Sequence, residues 1–178
     1  MSSEEELVKL CATNDRQAQK ELFERYSSKM MGICLRYTNN ADDAKDLLQD
    51  GFVKIYTQIE SFKFRSTLYT WMSRIFVNLA VNRLNRNVQH INLDDNQEIA
   101  AEIEEDENPT WGNLSKEQIL AAVRALPEIH RVIINLYAVD GLGHTEIASM
   151  LDISVGSSKS RLSRARTILK ERIKEIKE

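Results

Sequence analysis

Apolar residues recur along the chain at steps of three and four, the spacing of one helix face. Leu7, Leu10 and Cys11 predict a short first helix, and Ala18, Leu22, Tyr26, Met30, Ile33 and Tyr37 a long one over about 16–37. Asn39-Asn40 ends it. Asp42 or a neighbour can cap the next helix, which carries Leu47, Leu48, Phe52, Ile55, Tyr56 and Ile59. Residues 61–66 are expected as a loop, with Ser66 as the N-cap of a helix reaching about Arg86. In that helix Leu68, Trp71, Met72, Ile75, Leu79 and Val81 are expected mostly inward. Four more helices are predicted, over 116–125, 127–139, 144–151 and 155 to about 176. Pro127 suits a helix first turn, and Asp140-Gly141 marks a turn. No segment alternates like a strand, so the fold class is all-α.

The last two helices have the pattern of a helix-turn-helix. Ile147, Ala148 and Leu151 form an inner face, small Ala148 permits close approach, and Ile153 plugs the turn. Leu162, Ala165, Leu169, Ile173 and Ile176 make the apolar stripe of the last helix. Ser157, Ser160, Arg161 and Arg164 then share another face, with Lys159 and Arg166 flanking it. Hydroxyls bond phosphates or base edges, and Arg pairs bidentately with guanine in the major groove. Lys159 and Arg166 are placed to hold phosphates.

Composition changes the picture in two ways. Among 178 residues, 42% are hydrophobic and 29% charged, the balance of an ordinary soluble protein. No apolar run approaches the ~20 residues of a membrane span, and Met1–Glu6 is polar and acidic, unlike a signal peptide. Cys11 and Cys34 sit in helix-like contexts and are expected as free buried thiols of a cytoplasmic protein. The formal net charge of −3 hides a segregation. Residues 1–90 hold 13 Lys/Arg against 11 Asp/Glu, residues 91–117 hold 1 against 9, and residues 118–178 hold 10 against 7. The acidic stretch cannot bury enough apolar surface to offset its ordering entropy. The chain is therefore divided into a domain over 1–90, an acidic flexible linker over 91–114 and a domain over 115–178.

Each domain has one basic window, the footprint of a polyanion partner. From Ser61 to Leu93 the charges are Lys63, Arg65, Arg74, Arg83 and Arg86, with no acid. Phe62, Phe64, Tyr69 and Trp71 are interleaved with them. Cations beside aromatics suit unpaired bases, at roughly 1–3 kcal/mol per stacking contact. Trp71 and Phe76 are expected in the core. Phe62 and Phe64 are candidates for exposed stacking or pocket walls. Arg74, Asn78, Asn82 and Arg86 follow at four-residue steps as one polar face.

Three stretches resemble ECF-type (extracytoplasmic-function) bacterial sigma factors: residues 42–56, residues 62–86, and residues 126–166 with their Leu126-Pro127, Asp140-Gly141-Leu142 and Val155-Gly156 segments. The resemblance implies a specificity subunit that binds core RNA polymerase and directs it to promoter DNA. Asp43, Asp46, Leu47, Gln49, Asp50, Phe52 and Tyr56 would dock on the polymerase. Phe62, Lys63, Phe64, Arg65, Ser66 and Asn78 would surround a flipped-out base of the −10 element, with Arg74, Asn82, Arg83 and Arg86 supporting duplex and phosphates. Lys159, Ser160, Ser163 and Arg164 fall where similar proteins touch −35 bases, and Ser157, Ser158, Arg161 and Arg166 belong to the same DNA-binding segment. The resemblance further implies an anti-sigma factor as partner. Lys45 stands where an acid is common, Gly143-His144 where Ser-Tyr is common, and Ser157-Ser158-Lys159 where Thr-Val-Arg is usual.

The expected linker of 24 residues reaches at most ~80 Å extended and averages roughly 27 Å as a coil, so it spans two turns of DNA only when stretched. A stand-alone helix-turn-helix regulator would leave the first domain unexplained. A nucleic-acid enzyme would need a P-loop, a nucleophile motif or a metal-spaced set, and His90, His130 and His144 form none. A helical adaptor would make both basic faces incidental. No metal, cofactor or small-molecule substrate is expected, nor an enzymatic activity.

Overall fold

The computed structural model describes residues 3–88 and 115–177. The expected linker over 91–114, with His90, lies outside the described residues. Among the described residues eight α-helices follow one another: α1 Glu4–Ala12, α2 Arg16–Tyr37, α3 Ala41–Gln58, α4 Leu68–Val88, α5 Lys116–Arg124, α6 Glu128–Ile134, α7 His144–Leu151 and α8 Val155–Lys177. No strand occurs among the described residues. The chain divides into two compact units, Met1–Arg83 and Leu84–Glu178, so the division falls within α4.

Short polar side chains start the helices by accepting from otherwise unpaired backbone N–H groups. Ser3 accepts from Glu6 N at 3.1 Å, Asp15 from Ala18 N at 2.8 Å and Asn40 from Asp43 N at 2.8 Å. Ser66 does not cap α4. Thr67 does, its Oγ1 accepting from Thr70 N at 3.1 Å while its carbonyl accepts from Trp71 N. The hydroxyl of Ser66 instead donates to the carbonyl of Thr67. Ser115 and Gln118 start α5 with a reciprocal capping box.

In the first unit α2 packs against both α1 and α3, and α1 also meets a short 3₁₀ turn over Ile59–Ser61. Leu7, Leu22, Met30, Leu47, Ile55, Leu68, Met72 and Phe76 are fully or almost fully buried. Burial of each such side chain contributes roughly 1.5–3 kcal/mol. Phe52 joins the sheath of α2 to α4, its ring 4.7 Å from Phe23 and 5.8 Å from Phe76. Gly51 is what lets α4 come this close, because a Cβ there would run into the Phe76 ring. Ile75 and Leu79, expected inward, are only half-buried. Val77 and Ala80 take the buried positions instead.

In the second unit α5, α6 and α7 all pack on α8. Leu162, Ala165, Leu169 and Ile173 of α8 are buried, as the stripe predicts; the side chain of Ile176 lies outside the described residues. The helix expected over 127–139 is two elements. After Ile134 the chain continues as a π-helical turn, Asn135–Val139, closed by Asp140 N donating to the Asn135 carbonyl. Arg131, 4% exposed, donates to the Arg124 carbonyl at 3.2 Å. A cation at the C-terminal end of α5 complements that helix's dipole. Asp152 ends α7 in the left-handed region, with φ +53°.

Candidate functional site

Three surfaces carry the residues singled out from the sequence. On α3, Asp43, Asp46, Gln49 and Asp50 are exposed. Beside them Val53 is 57% exposed and Phe23 of α2 is 41% exposed, apolar area among carboxylates. Leu47 and Phe52 do not belong to that surface: at 0% and 3% exposure they are core residues. Their three- and four-residue spacing marked the buried face of α3, not a docking face. Tyr56 is half-buried, and its hydroxyl donates to the Gln19 carbonyl at 2.9 Å. Asp43 is engaged by Asn40, whose Nδ2 donates to its Oδ2 at 2.8 Å, and Lys45 pairs with Asp42 at 2.9 Å.

The second surface begins at the loop before α4. Lys63, Phe64, Arg65 and Ser66 are exposed. Phe64 is held at φ +54°, a left-handed conformation that a bulky side chain rarely takes. This projects its ring outward, 48% exposed, while the ring stays 4.7 Å from Phe62. Phe62 itself is only 6% exposed and lies 5.3 Å from Trp71. It is thus the floor under Phe64 and not a stacking surface. Along α4, Arg74, Asn78, Asn82 and Arg86 are all exposed, in one stripe. Among the described residues Arg74, Arg86, Lys63 and Arg65 have no carboxylate partner. Arg83 has one: its Nη2 donates to Asp50 Oδ2 at 2.6 Å.

Tyr69, one of the aromatics interleaved with the cations, adjoins this surface together with Lys29, which the sequence pattern does not single out. The Lys29 ammonium lies 5.8 Å from the centroid of the Tyr69 ring, which is 41% exposed, and 5.9 Å from that of Tyr26. Lys29 is 40 residues from Tyr69 in the chain, and no local pattern links them.

The third surface is on α8. Ser154 caps the helix, its Oγ accepting from Ser157 N at 2.9 Å and donating to Ser157 Oγ at 2.9 Å. Lys159, Ser160 and Arg164 are exposed; Ser157, Arg161, Ser163 and Arg166 are half-exposed. Ser158 is not available to DNA. Its side chain is 0% exposed and pairs with His144 Nδ1 at 3.0 Å. The Gly143 N–H donates to Glu146 Oε2 at 3.0 Å, which satisfies one donor at the start of α7.

The thiols take no part in these surfaces. Cys11 and Cys34 are free and buried, and burial pushes them up to about 11 and about 12. Among the described residues no helix is long and apolar enough to cross a membrane.

Comparison with known proteins identifies the family. The Sigma-70 region 2 family matches residues 22–89, and the Sigma-70 region 4 family matches residues 116–169. The ECF RNA polymerase sigma-E factor of Haemophilus influenzae is 30% identical over 184 residues, covering 98% of this chain and 97% of that protein. That of Escherichia coli is 33% identical over 180 residues, covering 96% and 94%. Among solved structures, the sigma factor RpoE of Bartonella quintana, in complex with the anti-sigma factor NepR, shares the fold. Its TM-score is 0.53 at 24% identity, over 87% of this chain and 96% of that one. The chain belongs to the ECF family of RNA polymerase sigma factors. It is a transcription-initiation factor that directs RNA polymerase to promoter DNA.

Proposed function

We propose that the division of labour runs along the three surfaces. The exposed carboxylates Asp46 and Asp50 of α3 and the Gln49 amide between them, with Val53 and Phe23, dock on core polymerase, an acidic and apolar face suited to a basic helical partner. Phe64, Lys63, Arg65, Ser66 and Asn78 capture a flipped base of the −10 element, and Arg74, Asn82 and Arg86 hold the adjoining backbone. Lys159, Ser160, Ser163 and Arg164 read the −35 element, with Ser157, Arg161 and Arg166 on its phosphates. Residues 1–90 and 115–178 act as two modules, joined by residues 91–114, at high effective concentration.

No catalytic residue is needed on this reading, and the chain is not an enzyme. Unstacking a base costs a few kcal/mol, comparable to the roughly 1–3 kcal/mol of one aromatic stack. Base capture by Phe64 therefore shifts the duplex toward the open form. The protein works in the cytoplasm, where polymerase and DNA are. An inhibitory protein covering the same two DNA faces is the partner we assign for control; the Bartonella quintana sigma factor that shares the fold is in complex with an anti-sigma factor, NepR.

The observation that carries this reading is the outward Phe64 ring, held at φ +54°, at the head of the exposed polar stripe Arg74, Asn78, Asn82 and Arg86, whose two cations have no carboxylate partner among the described residues. Its test is Phe64→Ala in a holoenzyme reconstituted with core polymerase. Open-complex formation should fall at least tenfold while polymerase affinity changes less than twofold. The reverse ranking refutes the assignment.

A further inference from the structure

Ser158 lies in the first turn of α8, fully buried. A buried hydroxyl requires a partner, and it has one in Nδ1 of His144, the first residue of α7, at 3.0 Å. The His144 ring stacks on Tyr137 of the π-helical turn, centroids 5.0 Å apart and planes at 29°. The Arg166 guanidinium lies over the Tyr137 ring, 5.5 Å from its centroid. Four side chains from three elements therefore form one continuous chain that ends on a cation of α8.

The electrostatics fit that order. Lys159 and Arg166 are seven residues apart on α8, close to two full turns, and share a face. Both cations, after burial, hold the His144 imidazole below its usual range. The ring is thus neutral at neutral pH and adds no third charge beside them. Tyr137 and Ser158 are the uncharged groups facing it, and the nearby Glu146 carboxylate is taken by the Gly143 N–H.

We propose that His144 and Tyr137 are positioning residues of the −35-reading face, which hold Arg166 ready for a DNA phosphate through a stack keyed to Ser158. The proposal rests on the −35 assignment made above. Arg166 is a long side chain that otherwise loses rotamer freedom only on meeting DNA. A guanidinium already parked over Tyr137 avoids that loss and is aimed.

The two claims fail separately in one experiment. Holoenzyme built from the full chain and core polymerase first enriches duplexes from a random library, and failure to enrich a −35-like element overturns the assignment itself. On the enriched duplex, Kd is then measured by fluorescence anisotropy over a range of salt concentrations. Tyr137→Ala, at a partly exposed position, should weaken binding three- to tenfold and flatten the salt slope by about 0.9, the loss of one phosphate contact. His144→Leu should do the same. His144→Asn keeps a hydrogen-bonding group near the Nδ1 position and should recover at least half of the lost affinity, on a logarithmic scale. A wild-type affinity in Tyr137→Ala overturns the proposal. So does weakened binding with an unchanged slope, or equal weakening by Asn and Leu at position 144.

Discussion

Arg83 donates through Nη2 to Asp50 Oδ2 at 2.6 Å, which ties α4 to α3 by an ion pair between residues 33 apart in the chain. The side chains are 34% and 61% exposed, so solvent screens the attraction. Pairs of this kind are worth about 0.2–1 kcal/mol. A double-mutant cycle of Asp50→Ala and Arg83→Ala, read by urea unfolding of the full chain, should give a coupling energy under about 1 kcal/mol. It should shrink when salt is raised to about 1 M, where the screening length is about 3 Å. A coupling that persists there would mean the pair is better shielded than its exposure indicates.

Gly51 sets how closely α4 approaches α3. Any Cβ at this position meets the Phe76 ring, which is fully buried and has little room to retreat. Gly51→Ala should cost about 1–3 kcal/mol, the range for overpacking a filled core. This outweighs the 0.5–1 kcal/mol that Ala usually gains over Gly inside a helix. A Tm above that of the unaltered protein would contradict the packing described.

Asp152 closes α7 at φ +53°. Glycine adopts this conformation without the steric cost of a Cβ, and is the usual residue there. Asp152→Gly should raise stability by a few tenths to about 1 kcal/mol, the left-handed penalty less the added freedom of the unfolded chain. The urea midpoint of the second unit reads this directly. A lower midpoint would show that the carboxylate contributes more than its backbone costs.

His144 carries a pH dependence of known sign. Burial first, then Lys159 and Arg166, lower its proton affinity in the fold. The unfolded chain binds the proton more readily, at about pH 6.5. The contribution is therefore complete above the unfolded value and is lost as pH falls through the lower, folded one. Between pH 7.5 and 5.5 the unaltered chain should lose more stability than His144→Asn, which does not titrate. Parallel losses would place the imidazole outside this electrostatic field.

Helix identity is legible because burial is periodic: the expected span of α2, 16–37, is the observed one, and Leu162, Ala165, Leu169 and Ile173 of the α8 stripe are buried as the spacing predicts. What local spacing does not encode was misread. Ser66 and Thr67 are chemically interchangeable caps, and only backbone geometry chooses Thr67. Nothing in the pattern of 127–139 signals the π-helical turn after Ile134. The resemblance makes Leu47 and Phe52 docking residues, although the same spacing that predicts α3 assigns them to the core, where they are buried. Phe62, a candidate for stacking or a pocket wall, and Ser158, which the resemblance places in the DNA-binding segment, are buried because their partners Trp71 and His144 come from other elements. Exposure along α4 was easier: four polar residues at four-residue steps share one face, and all are exposed.

The central claim is that the basic surfaces of two helical units together address polymerase to chosen promoters. The direct measurement is transcription by core polymerase on a genomic template library, with 5′-end mapping of transcripts, with and without this chain. New start sites should appear only when it is added, each preceded by shared −10 and −35 elements. Arg164→Ala should lose sites according to their −35 sequence while polymerase binding is retained. An unchanged set of start sites despite stable binding to polymerase would contradict the account.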